Sequence, residues 1–290
     1  MDQINLRIET PTPHDFEAPI HAIIHAAIQP TNASSAKDVA LALDMVYLDY
    51  IKKPGMSPAG VLTCFWELIN SFASQIPYES PAQEKLVAIV QELAGVTSTE
   101  TILNEKLWKG LPYFTSEFPQ TWEAMSPDAD DDEKKQRFVN FQAYAARILG
   151  LGLSQQLETY AIWALSDVAE GAMIPVRGSP DVVSADPKDV DQLPFKAAAA
   201  GMWILYAGHA LYGRDEAIWG TQGGPLWMLP KVERKKLRRK FRGTQGLCLD
   251  RWLLWKQQFR AIRDCGSADA ETRRIAGNVV ETMNRVEGHN

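Results

Sequence analysis

The sequence predicts an all-α fold, a single irregular array of helices with long loops. Three observations carry that prediction. Apolar residues recur at helical spacing in at least seven separate segments, prolines and glycines punctuate those segments, and no stretch alternates convincingly with the two-residue period of a strand. With 290 residues, 46% of them hydrophobic and 23% charged, the chain is long enough to bury a sizeable core and has the composition of an ordinary globular protein. Its formal net charge of −6 opposes general attraction to nucleic acid but leaves room for a local basic patch. Cys64, Cys248 and Cys265 are odd in number and lack C-x-x-C spacing, so reduced thiols are expected. The amino-terminal residues show no basic segment followed by an apolar one, and no apolar run approaches the length of a bilayer span. A cytoplasmic protein is the expectation.

The first helical pattern runs from Phe16 through Ile20, Ile24 and Ala27 and stops before Pro30, after a mobile lead-in over residues 1–14. His21 and His25 stand four apart on it, but position 22 is Ala where a zinc-protease pattern needs Glu, so no metal site is expected. The second helix spans 35–51, opened by Ser35 and Asp38 as a capping signal. The third spans 58–75, with Val61, Phe65, Leu68 and Phe72 on one face. The fourth carries Leu86, Ile89, Val90 and Leu93 and stops at Gly95. From Thr97 to Pro127 the pattern breaks, and Leu107, Trp108, Leu111, Phe114, Phe118 and Trp122 read as a loop pressed onto the core.

Asp130, Asp131 and Asp132 superficially resemble an aspartate-rich magnesium motif. They directly precede a helix and are followed by Lys134 and Lys135, which suits a solvated helix start better. That helix runs from Glu133 to Leu149. Gly150 and Gly152 break it, and a partner from Gln155 to Glu170 is expected to complete an antiparallel hairpin. Residues 172–194 hold four prolines and four aspartates without periodicity, a long loop suited to a hinge or a lid. A single helical domain over 15–290 follows from this reading.

Residues 203–259 hold five of the nine tryptophans and are the expected wall of any site. The helix over 195–212 is apolar on two faces and so should be central, with Met202, Leu205, His209 and Tyr212 on one of them. His209, beside Tyr206, is the candidate general acid or base, because an imidazole moves its proton near neutral pH. Its alternative role is that of a core histidine satisfied by a carbonyl or a tyrosine hydroxyl. Trp203, Tyr212, Trp219, Trp227, Trp252 and Trp255 are the candidate substrate-binding residues. Two identical tetrapeptides, Gly220–Gly223 and Gly243–Gly246, follow no strand pattern and read as turns. Between them, eight cations from Lys231 to Arg242 are expected on a solvent-facing helix anchored by Val232, Leu237 and Phe241; no aromatic ladder or helix-turn-helix accompanies them to support nucleic-acid binding. Helices carrying Trp252, Trp255, Phe259 and Ile262, then Ile275, Val279, Met283 and Val286, complete the chain.

The order of these segments carries a resemblance. FWELINSFASQIPYESPAQEKLVAIVQEL, then LWKGLPYF with Trp122, RFVNFQAYAARILGLGL, YAIWALSDVAEG, AAAAGMWILYAGHALY, LDRWLLWKQQF and a last helix with Met283 resemble, over about residues 38–286, a fungal family known only as a domain of unknown function. The resemblance implies a predominantly helical fold and company among secondary-metabolite genes. It implies no catalytic residues. Two classes of function follow. The first is a cofactor-independent enzyme of secondary metabolism, a cyclase or isomerase folding a lipophilic polyketide or terpenoid in an aromatic pocket, chemistry that needs mainly shape and exclusion of water. The second is a non-catalytic interaction protein that docks an acidic partner through residues 231–242. A closed apolar cavity beside His209 favours the first; a solid core with an exposed apolar groove favours the second.

Overall fold

The structure, a computed structural model, describes residues 3–98, 100–116, 118–125, 131–221 and 223–288. Eleven α-helices are present among them, and the only strands are two short antiparallel pairs, so the fold is all-α. Contacts divide the chain into two compact units, Met1–Gln155 and Gln156–Asn290. The division falls beside the Gly150–Gly152 break, not within residues 172–194.

The first unit contains α1 (Glu17–Ala27), α2 (Ala36–Ile51), α3 (Pro58–Gln75), α4 (Pro81–Ala94), α5 (Phe118–Met125) and α6 (Asp132–Gly150). Three of these helices start on a serine whose hydroxyl accepts from the first turn: Ser35 from the Asp38 amide, Ser57 from Gly60 and Ser80 from Ala82. Pro58 and Pro81 follow two of those caps, where a missing N–H costs nothing. The expected boundaries of α2 and α3 hold because cap and breaker are both local. Asp131 caps α6 by accepting from the Lys134 amide at 2.8 Å, and Asp132 pairs with Lys135, as a solvated helix start requires; Asp130 lies outside the described residues.

Between α4 and α5 the chain makes a two-residue hairpin, β1 (Thr101–Ile102) and β2 (Glu105–Lys106), turned at Leu103 and Asn104 with φ of 53° and 65°. It then delivers Trp108 and Phe114 to the core. Both are fully buried, and Trp66 meets each of them edge-on, at ring separations of 6.1 and 5.2 Å. The segment is a pressed loop at 107–116, but Phe118 begins a helix. Pro119 is tolerated there because it stands in the first turn.

Polar side chains, amides prominent among them, cross-link this unit. The Trp108 indole donates to Asp44 at 2.6 Å, and buried Gln83 donates to the carbonyls of Ile76 and Asn140 while accepting from Arg147. Residues 4–9 are not a loose lead-in. Gln29 donates to the Ile4 carbonyl, Gln75 both donates to and accepts from the Arg7 backbone, and Leu6 is 2% exposed. His21 contacts the Leu6 carbonyl at 2.9 Å, which gives one member of the histidine pair a structural role. Glu9 completes the strap with two hydrogen bonds from Arg137 at 2.5 and 2.7 Å.

The second unit contains α7 (Glu158–Ala169), α8 (Leu193–Leu211), α9 (Lys231–Leu237), α10 (Leu249–Arg263) and α11 (Ala270–Gly288). Helix α8 packs on α7 and α11, and α10 on α11. Gly201 permits the α8–α11 approach, since a Cβ there would lie 3.0 Å from Ile275 and 3.2 Å from Val279. The 172–194 stretch is partly ordered by β3 (Ala172–Ile174) pairing with β4 (Val182–Ser184), a hairpin too short to show periodicity in the sequence.

The Arg137 hydrogen bonds hold the Glu9 carboxyl below the usual carboxylate range, against an opposing effect of burial. A depressed folded value means that Glu9 stabilises the strap above the ordinary carboxylate pKa and loses that contribution as the pH falls through the folded value. Glu9→Gln at neutral pH is therefore expected to speed tryptic cutting after Arg7, read by mass spectrometry. Acidification of the wild type should raise hydrogen exchange at residues 6–9 beyond the intrinsic change. Unaltered cutting and exchange would show that the strap does not depend on this pair.

Candidate functional site

The second unit is organised around a buried ion pair. Arg251 stands in the first turn of α10, and Glu170 is the residue at which α7 ends; both side chains are 0% exposed. Arg251 uses every N–H of its guanidinium. Nε donates to Glu170 Oε1 at 2.6 Å, Nη2 donates to Glu170 Oε2 and to the Ser166 hydroxyl, and Nη1 donates to the carbonyls of Gln245 and Gly246 at 2.7 and 2.8 Å. Glu170 also accepts from the Trp255 indole at 2.7 Å and from the Gly224 amide at 2.6 Å. Trp227 and Trp255 present their rings to the guanidinium at 5.5 and 5.4 Å. Such complete pairing is what offsets the cost of removing two charges from water.

The glycine-rich turns are shaped by this centre. A Cβ on Gly224 would lie 2.5 Å from Glu170 Cβ, and one on Gly246 would lie 2.4 Å from the Glu216 carbonyl oxygen. Gly243 passes 3.0 Å from the Trp227 ring by the same measure. The two repeated tetrapeptides bind each other: the Thr221 hydroxyl donates to the Gln245 carbonyl at 2.8 Å, and the Gln245 amide donates to the Thr221 carbonyl at 2.9 Å. Thr221 and Gln245 thereby tie the two segments together.

A projection leaves this clamp. Trp227, buried and donating to the Thr244 carbonyl, anchors its base, where residues 227–229 run antiparallel to 240–242. Arg242 adds a hydrogen bond to the Leu226 carbonyl. At the tip is α9, which is shorter than the helix expected over 231–242. It ends at Arg238, whose left-handed φ of 52° turns the chain back toward the base. No α9 residue is buried, and Val232 and Leu237, expected as anchors, are 81% and 48% exposed. The anchors are Trp227, Leu229 and Arg234, the last donating to the Leu229 carbonyl at 2.6 Å. Lys231, Lys235, Lys236, Arg238, Arg239 and Lys240 are all exposed, and none forms an ion pair among the described residues.

The residues expected to line a catalytic pocket are dispersed. His209 is exposed on α8 rather than set in a buried apolar wall, and Tyr206 is half-buried. Trp203 is fully buried in the core. Trp227 and Trp255 enclose Arg251. Tyr212 and Trp252 do meet, with rings 5.1 Å apart, but the Trp252 indole donates to Glu287. Trp219 is 95% exposed. Among the described residues no group of three or more His, Cys, Asp or Glu side chains is placed to hold a metal ion, and no helix is long and apolar enough to cross a membrane.

Sequence reasoning overlooked Arg251 and Glu170. A signal was present, because Arg251 shares a helical face with Trp255 and Ile262, and a charge on such a stripe requires a buried partner.

A profile for a family described as protein of unknown function (DUF3632) matches residues 66–259, two thirds of the chain. The chain belongs to that family. The DUF3632 match takes in Glu170, Arg251, both tetrapeptides and the basic projection. No curated protein and no solved structure matches the chain.

Removal of one partner of a buried, fully hydrogen-bonded pair strands the other charge. Arg251→Met is therefore expected to cost about 3 to 5 kcal/mol, with Glu170→Leu comparable. Urea denaturation measures this. A midpoint equal to wild type in either variant would remove the ion pair from its organising role.

Proposed function

We propose that this DUF3632 protein is a non-catalytic interaction module that docks a polyanionic partner through the basic projection over residues 231–242. The observation that carries this reading is the pairing of a rigid base with an uncompensated tip. Six exposed cations without ion-pair partners among the described residues are held on a stalk whose foot is locked to a satisfied buried ion pair. Charge left uncompensated at a fixed position, in a protein of formal net charge −6, attracts an anionic surface locally while the remainder of the molecule repels it. The burial of Trp203, and of Trp227 and Trp255 with their rings against the Arg251 guanidinium, supports the same reading.

A second reading, the cofactor-independent cyclase or isomerase of fungal secondary metabolism, has one observation in its favour. The first unit holds a cleft of about 780 Å³ whose lining includes Ile4, Ala27, Ile28, Pro77 and Ala82. That volume suits a lipophilic small molecule. A metabolite that disappears from extracts when the gene is deleted, and returns with the wild-type gene, would favour this reading.

The docking reading predicts retention on a sulfonate cation-exchange resin at neutral pH, against the sign of the net charge. Arg238→Gln, Arg239→Gln and Lys240→Gln together should lower the eluting salt concentration while changing stability by no more than about 1 kcal/mol, because exposed charges contribute little to folding. Passage of the wild type through the resin without retention would refute the docking reading.

A further inference from the structure

We propose that the polyanionic partner is an anionic lipid surface, which the α9 tip enters with Val232 at its apex. The inference rests on the docking reading above and adds the identity of the surface. In a helix, residues two apart point in roughly opposite directions. Arg234 faces inward, its Nε on the Leu229 carbonyl, so Val232 and Lys236 face away from the protein. Lys231, Val232, Lys235 and Lys236 together line a shallow depression of about 410 Å³. The solvent side of α9 therefore carries an apolar side chain, 81% exposed, beside Lys231, Lys235 and Lys236, with Glu233 the one carboxylate on the helix. Leu237, 48% exposed, adds a second apolar contact at the edge of the same helix.

This arrangement distinguishes among anionic partners. Phosphates of a nucleic acid or carboxylates of an acidic peptide would engage the cations but give Val232 no apolar environment. The boundary between headgroups and acyl chains supplies both. Lysine stems lie along apolar surface while their ammonium groups reach the headgroups, and the valine enters the acyl margin. Lysine is also a compact charge with no fixed fork geometry, suited to a fluid anionic leaflet. Two exposed apolar side chains and six cations make a reversible surface contact, and no helix long enough to span a bilayer is required.

The test is flotation of the full chain with phosphatidylcholine vesicles, with and without phosphatidylserine, at physiological salt. Binding is expected only to the vesicles containing phosphatidylserine. Lys231→Gln, Lys235→Gln and Lys236→Gln together should weaken it on the order of 100-fold, at about fivefold per cation. Val232→Asp should abolish flotation without altering circular dichroism, since the position is exposed, and Val232→Trp should strengthen it. Wild-type flotation by Val232→Asp would overturn the apex insertion. Retention on the sulfonate resin without flotation would overturn the lipid assignment alone, as would displacement from vesicles by equal concentrations of polyglutamate or duplex DNA. Failure of both resin retention and flotation would overturn the docking reading as well.

Discussion

The second unit depends on one constraint: two charges taken fully out of water must find partners for every donor and lone pair. Arg251 and Glu170 meet it by recruiting groups from four places in the chain, namely Ser166 on α7, the Gly224 amide, the Gln245 and Gly246 carbonyls, and the Trp255 indole on α10. Each recruited group fixes a backbone segment that has no regular secondary structure of its own or ties α7 to α10. A hydrophobic contact would not do this, because apolar burial is non-directional, whereas a guanidinium has five donors in a rigid plane.

The irregular stretch between α8 and α10 gains its definition from that directionality. The glycines at 224 and 246 are required because backbone passes too close to Glu170 and to the Glu216 carbonyl for any Cβ to fit. The two tetrapeptides, identical in sequence, close the arrangement by exchanging hydrogen bonds between Thr221 and Gln245. On this foundation the projection can carry an outward face that contributes nothing to the core. A cationic tip with exposed Val232 would be a liability on a loose loop, and it is a defined surface when its base is fixed by Trp227 and Arg242.

The first unit solves a different problem by different means. Three of its helices begin at serine caps, and its core meets over interlocked aromatic rings, with Trp66 between Trp108 and Phe114. Its buried cross-links are mostly amides, with Gln83 and Asn140 tying helix ends to one another. Neutral amides lose less on burial than ions do, so this unit needs no single organising pair. The extended residues 4–9 are held in the same manner, by Gln29 and Gln75 acting on backbone groups.

The sequence by itself determined most of the helices, because their signals are local. Ser35 and Pro58 mark starts, Gly95 marks a stop, and the three-to-four-residue apolar spacing identifies the buried faces. It also determined that the basic helix within 231–242 faces solvent. Only the tertiary structure decided which aromatic residues share a neighbourhood. Trp227 joins Trp255 around a guanidinium rather than a pocket, and His209 faces outward, because a helix apolar nearly all round gives no sequence signal for which side its neighbours will cover. Tertiary structure also decided the length of α9. Eight cations crowd the 231–242 stretch, and the pairing of Met228 with Phe241 draws the chain back at Arg238 before the helical pattern ends. Partners distant in sequence, such as Glu170 and Arg251, 81 residues apart, are chosen by which buried charges can neutralise each other, a choice that exists only once the helices have packed.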